Sequence, residues 1–125
     1  MVSAKTLLGF KVPYDEFIMY EFIAPFGMKE ICRTNYDKDD DTYSLNGNEY
    51  SVVAPYTSDE EVLFVGVDLG FVYVSKLGTG CFHTQFDCAS VSLDMIAAQY
   101  GLEALAADLG IEYDDLKLFT VLFNS

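Results

Sequence analysis

Basic residues are scarce: seven Lys and Arg stand against 20 Asp and Glu in 125 residues, giving a formal net charge of −13 with the single His neutral. So few cations leave little to neutralise phosphates, which argues against direct nucleic-acid binding. An anionic membrane surface repels such a chain for the same reason. Long apolar runs are also missing. The longest, Val62 to Val67, is closed by Asp68, far below the roughly 20 residues that span a bilayer. Met1 to Phe10 has a very short apolar stretch and no small-residue cleavage site, so no secretory signal is expected. Cysteine is sparse and odd in number, Cys32, Cys81 and Cys88, which fits reduced thiols in a cytoplasmic protein better than a disulfide framework. Internal repeats and Pro/Ser-rich linkers are lacking, and the length suits one domain, residues 1–125.

What is present is a 51% hydrophobic, 15% aromatic chain with no Trp, rich enough to build a core. Thr6 to Val12 reads as a first strand. Pro13, followed by Asp15 and Glu16, has the form of a helix start, and a helix is expected through Ile23, stopping near Pro25-Phe26-Gly27. Asn46-Gly47 is a strong hairpin signal, since both central residues of a type I′ turn need φ > 0. It sets Tyr43 opposite Tyr50, with Tyr43, Leu45, Tyr50 and Val52 on one face and Thr42, Ser44, Glu49 and Ser51 on the other. Val62 to Val67 and Phe71 to Ser75 form a second candidate hairpin, apolar on both faces and so central or covered. Lys76 to Asp87 reads as a loop. Ser92 is the candidate N-cap of a helix that Gly101 interrupts and Gly110 ends. Leu116 to Phe123 closes the chain as a strand, apolar on both faces, either internal to the sheet or with its second face an oligomer or partner interface. Together these give an α+β single domain: an antiparallel or mixed sheet of about five to six strands with two helices packed on one face.

Several constellations carry chemistry on paper. Asp37-Lys38-Asp39-Asp40-Asp41 alternates carboxylates like an EF-hand loop, but Thr42 stands where the turn glycine belongs and Asn48 where the bidentate Glu belongs. Cys81, His83 and Cys88, with Cys32 elsewhere, supply zinc-ligand types without a Cys-x-x-Cys pair. The same Cys81 and His83 could be a thiol and its base, with Asp87 as orienter, yet nothing in the spacing fixes their geometry. Ala104 to Leu116 resembles the helix-turn-helix signature in its A-x-x-L-G-I core, with Gly110 at the turn. The resemblance implies a recognition helix opening on Glu112-Tyr113-Asp114-Asp115, which would present carboxylates to phosphates. A helix stop at Gly110 before a strand accounts for the same residues. No metal, cofactor or catalytic residue is therefore expected.

Charge distribution is the remaining signal. Acids cluster at Asp37, Asp39, Asp40 and Asp41, at Asp59, Glu60 and Glu61, and at Glu112, Asp114 and Asp115. Such clusters in connecting segments suit docking on a basic protein, and a nucleic-acid-binding protein offers a phosphate groove that a carboxylate array would fit. The expected function is a non-enzymatic acidic protein-binding module, an inhibitor or nucleic-acid mimic. The alternatives are a structural subunit self-associating through apolar strands, and a small Cys/His or carboxylate enzyme.

Overall fold

The Asn46-Gly47 turn organises one half of the molecule. In the computed structural model, which describes residues 2–24, 27–56, 61–70 and 93–124, Asn46 has φ 52° and Gly47 φ 83°, as that turn requires. It joins β5 (Thr42–Leu45) to β6 (Asn48–Val53) in the expected register, Tyr43 opposite Tyr50. Tyr43, Tyr50 and Val52 are buried, so the face assignment holds. Around this hairpin lies a six-stranded, wholly antiparallel sheet. It adds β1 (Val2–Pro13), β4 (Tyr36–Asp37), β7 (Val62–Asp68) and β8 (Lys117–Asn124) in the order β4-β5-β6-β7-β1-β8. The fold is the α+β architecture the pattern implied, with β7 central as its two apolar faces require.

The twelve-residue β1 serves two neighbours. Its C-terminal part pairs with β7 from Leu7↔Asp68 to Pro13↔Val62, and its N-terminal part with β8 from Val2↔Asn124 to Gly9↔Lys117. Gly9 and Gly66 face each other across the β1–β7 ladder. A Cβ on Gly9 would stand 2.6 Å from the Gly66 Cα, and one on Gly66 2.8 Å from the Gly9 Cα, so only glycine allows this approach.

The expected helix over 13–23 does not form. Pro13 ends β1, Tyr14–Glu16 make a single 3-10 turn, and the chain continues as β2 (Ile18–Ala24), paired with β3 (Gly27–Cys32) in a separate two-stranded ribbon. The helix-start signals are local and supply only one turn. The following residues, Phe17-Ile18-Met19-Tyr20, are β-branched, aromatic or unbranched apolar groups without a helical stripe, and cross-strand pairing wins.

Two helices lie in the later segment. α1 (Leu93–Gln99) and α2 (Leu102–Leu109) are separated at Gly101, which adopts φ 63°. α2 buries Leu102, Leu105, Ala106 and Leu109, an i, i+3, i+4, i+7 stripe. Gly110, at φ 72°, ends it, and the Ile111 N–H donates to the Ala106 carbonyl at 2.9 Å in a Schellman closure. After one 3-10 turn at Tyr113–Asp115 the chain enters β8 directly, so no recognition helix follows Gly110. The helices cover Leu8, Phe10, Val12, Leu63, Val65 and Val67. On the opposite face Leu7, Val53 and Val121 form a smaller cluster with Phe64, Phe119 and Phe123. The expected strand Phe71–Ser75, the Lys76–Asp87 loop and the Ser92 cap lie outside the described residues. Among the described residues no helix is long and apolar enough to cross a membrane.

Candidate docking surface

Two buried tyrosines hold the helices over the hairpin. The Tyr43 hydroxyl donates to the Asp108 carboxylate on α2, and the Tyr50 hydroxyl to the Tyr100 carbonyl at the α1–α2 junction. Asn48 Nδ2 donates to the same carbonyl at 3.3 Å, and an Arg33 guanidinium nitrogen to the Asp108 carbonyl at 3.0 Å. Arg33 also lies 3.5 Å from Glu16. Burial raises the pKa of both tyrosines; for Tyr43 the bond to Asp108 adds to the rise, while Arg33 and Asn35 oppose it. Phe17 stands edge-on between Tyr36 and Tyr43, ring centroids 5.1 and 5.8 Å away.

From this anchored hairpin projects the first acidic cluster. Asp37, at the end of β4, turns the chain with its own side chain: Oδ1 accepts the N–H groups of Asp39 at 2.9 Å and Asp40 at 3.2 Å. Asp41, with φ 52°, returns the chain to β5, and its carbonyl accepts the Val52 N–H at 2.9 Å. The Tyr36 hydroxyl donates to Asp41 Oδ1 at 3.4 Å; burial, with the Asp41 charge second, pushes its pKa up to about 12. All four carboxylates are exposed, and among the described residues no Lys or Arg forms an ion pair with them.

The other clusters are placed differently. Glu112, Asp114 and Asp115 are exposed on the turn between α2 and β8. Glu61 is exposed beside β7, its carbonyl accepting the Tyr14 N–H at 2.8 Å, whereas Asp59 and Glu60 lie outside the described residues. In strand order β6, β7 and β1 intervene between β5, which follows the Asp37–Asp41 turn, and β8, which follows the Glu112–Asp115 turn. Cys81, His83, Asp87 and Cys88 are likewise outside the described residues, and Cys32 is a half-buried free thiol. Among the described residues no three His, Cys, Asp or Glu side chains converge on a metal position.

One feature escaped the sequence reading. The acidic turn opens onto a cleft of about 340 Å³ whose walls include Asp40, Asp41, Ser51, Phe123 and, from β1, Lys5. Lys5 lies 4.0 Å from Asp68 and 5.4 Å from the Phe123 ring centre, so its charge is held by a carboxylate and an aromatic face. No sequence spacing relates Lys5 to Asp40; only the curl of the sheet does.

Fold and surface together define a small acidic α+β domain that displays carboxylates on ordered turns. Comparison with protein families, curated proteins and solved structures finds no match to this chain.

Proposed function

We propose that this chain is a non-enzymatic acidic docking module that occupies a basic surface of a partner protein, as an inhibitor or a nucleic-acid mimic. The observation that carries the reading is the Asp37–Asp41 turn, four exposed carboxylates on a backbone fixed by the Asp37 side chain and backed by Tyr36. Preformed charge of this kind costs little ordering on binding, and it steers a cationic partner into place. The cleft beside Asp40 and Asp41 suits a partner Lys or Arg side chain reaching in from the turn. Partners of the sharpest fit are nucleic-acid-binding proteins, whose phosphate grooves expect negative charge in register.

The test is a pull-down from source-cell lysate with the intact chain, washed at low and then high salt, followed by affinity measurement on the captured protein. A basic protein released by salt, whose binding is lost when Asp39 and Asp40 are both changed to Lys, is the expected result. Those two positions leave the Asp37 turn bonds in place, because they contribute backbone N–H groups rather than acceptors. Undiminished binding by the reversed chain overturns the reading.

A further inference from the structure

The turn that sets the hairpin register also carries its own electrophile and nucleophile. Asn46-Gly47 is the single Asn-Gly pair in the sequence; Asn35, Asn48 and Asn124 precede Tyr36, Glu49 and Ser125. Both residues of the pair are exposed. The β5–β6 ladder closes at Leu45↔Asn48, so in this two-residue turn the Gly47 N–H stands outside the ladder bonds. No atom lies within 4 Å of the place a Gly47 Cβ would occupy, which leaves that side of the backbone nitrogen open. With no side chain of its own, Gly47 neither shields the nitrogen nor restricts rotation about it. Closing the bond from that nitrogen to the Asn46 side-chain amide carbon makes a five-membered ring, the succinimide of spontaneous deamidation.

We propose that Asn46-Gly47 is a self-modifying site, at which the chain deamidates without an enzyme and whose isoaspartate product gives up the Tyr43–Tyr50 register. Hydroxide takes the Gly47 amide proton, and the nitrogen attacks Asn46 Cγ. The N–Cγ bond forms, the Cγ–Nδ2 bond breaks, and Nδ2 leaves as ammonia, taking a proton from water and restoring hydroxide. Water then opens the succinimide at one of its two carbonyls. Breaking the N–Cγ bond gives aspartate at position 46. Breaking the bond from that nitrogen to the residue 46 backbone carbonyl carbon gives isoaspartate, whose main chain runs through Cγ and is one carbon longer. Water is the sole co-reactant, so the site needs no partner. Either product adds one negative charge, at the end of β5 away from Asp41. Aspartate keeps the turn, because it tolerates the left-handed region as asparagine does. Isoaspartate puts an extra backbone carbon into a loop whose length fixes the register. That register sets Tyr43 opposite Tyr50, the two phenols that donate to Asp108 and to the Tyr100 carbonyl. Asn48, next to the turn, donates to the same Tyr100 carbonyl. Damage at Asn46 is thereby passed to the helix tethers.

Ageing the intact chain in buffer at neutral and mildly alkaline pH, followed by peptide mapping with mass spectrometry, tests this. The peptide holding Asn46 should exchange NH2 for OH about tenfold or more faster than those holding Asn35 or Asn48, which are followed by residues with side chains. The rate should rise about tenfold per pH unit, as the amide anion fraction does. Anion exchange separates the aged fraction by its added charge, and Asn46→Gly, which still accepts positive φ, should abolish that fraction. Should Asn46→Gly unfold, the peptide map decides alone. The aged fraction, rich in isoaspartate, should unfold at lower urea than Asn46→Asp, which has the same charge without the added carbon. No exchange at Asn46, exchange there no faster than at Asn35 and Asn48, or an aged fraction as stable as Asn46→Asp overturns the proposal.

Discussion

The two outer strands of the sheet are built on opposite terms. β4 is two residues long, ends in the Asp37 turn, and is surrounded by exposed carboxylates. β8 is eight residues long, carries one Lys and no acid, and leaves Leu118 and Leu122 uncovered. The first shows the usual protection of an edge: brevity and charge. The second is long and keeps a single charge, Lys117. The β4 side also lies under the helices, to which Tyr43 and Tyr50 tie it. The tethered helices and the Asp37 turn therefore belong to the first edge, while β8 itself exposes leucines and one lysine.

The comparison can be sharpened first by truncation. Leu105, fully buried in α2 beneath the hairpin, should cost about 2–5 kcal/mol when changed to Ala. Leu122→Ala, at the other end, should change stability of the dilute chain by no more than about 0.5 kcal/mol. Urea unfolding of both variants measures the contrast, and a Leu122→Ala loss near that of Leu105→Ala would break it. A smaller effect comes from the tyrosine tethers. Tyr43→Phe and Tyr50→Phe should each lose about 0.5–1.5 kcal/mol by the same measurement, Tyr50→Phe less because Asn48 still donates to the Tyr100 carbonyl.

The smallest effect is a dependence on alkaline pH. Tyr36, Tyr43 and Tyr50 lie on β4, β5 and β6, and all three have raised pKa values, chiefly through burial. An unfolded phenol ionises near 10, whereas folded Tyr36 keeps its proton to about 12. Between those values the unfolded state binds fewer protons, so this contribution is complete below pH ~10 and is lost as pH rises through the folded value. Melting temperatures from pH 9 to 12 should fall more steeply for the native chain than for Tyr36→Phe. Equal slopes would remove the β4 side's distinctive titration.

What could be read from residues alone was whatever a few neighbours decide. Asn46-Gly47 fixed a turn and thereby a register, and Gly110 ended a helix because a left-handed residue was needed there. The segment from Pro13 failed for the converse reason. Its helix-start residues were genuine but short-ranged, and pairing of Ile18–Ala24 with Gly27–Cys32 outweighed them. The acidic turn at Asp37–Asp41 was legible as charge, though the Asp37 bonds that order it were not. The placing of Lys5 beside that turn depends on strands distant in sequence, and so does the outer position of β8.

The tyrosine tethers have an optical consequence. With no Trp in the chain, ultraviolet emission comes from tyrosine alone, and phenols that donate to a carboxylate or a carbonyl emit less than free ones. Tyr43 and Tyr50 make those bonds to the helix pair. Lifting α1 and α2 from the hairpin would therefore brighten the molecule, giving it an intrinsic light signal for helix undocking without any added dye.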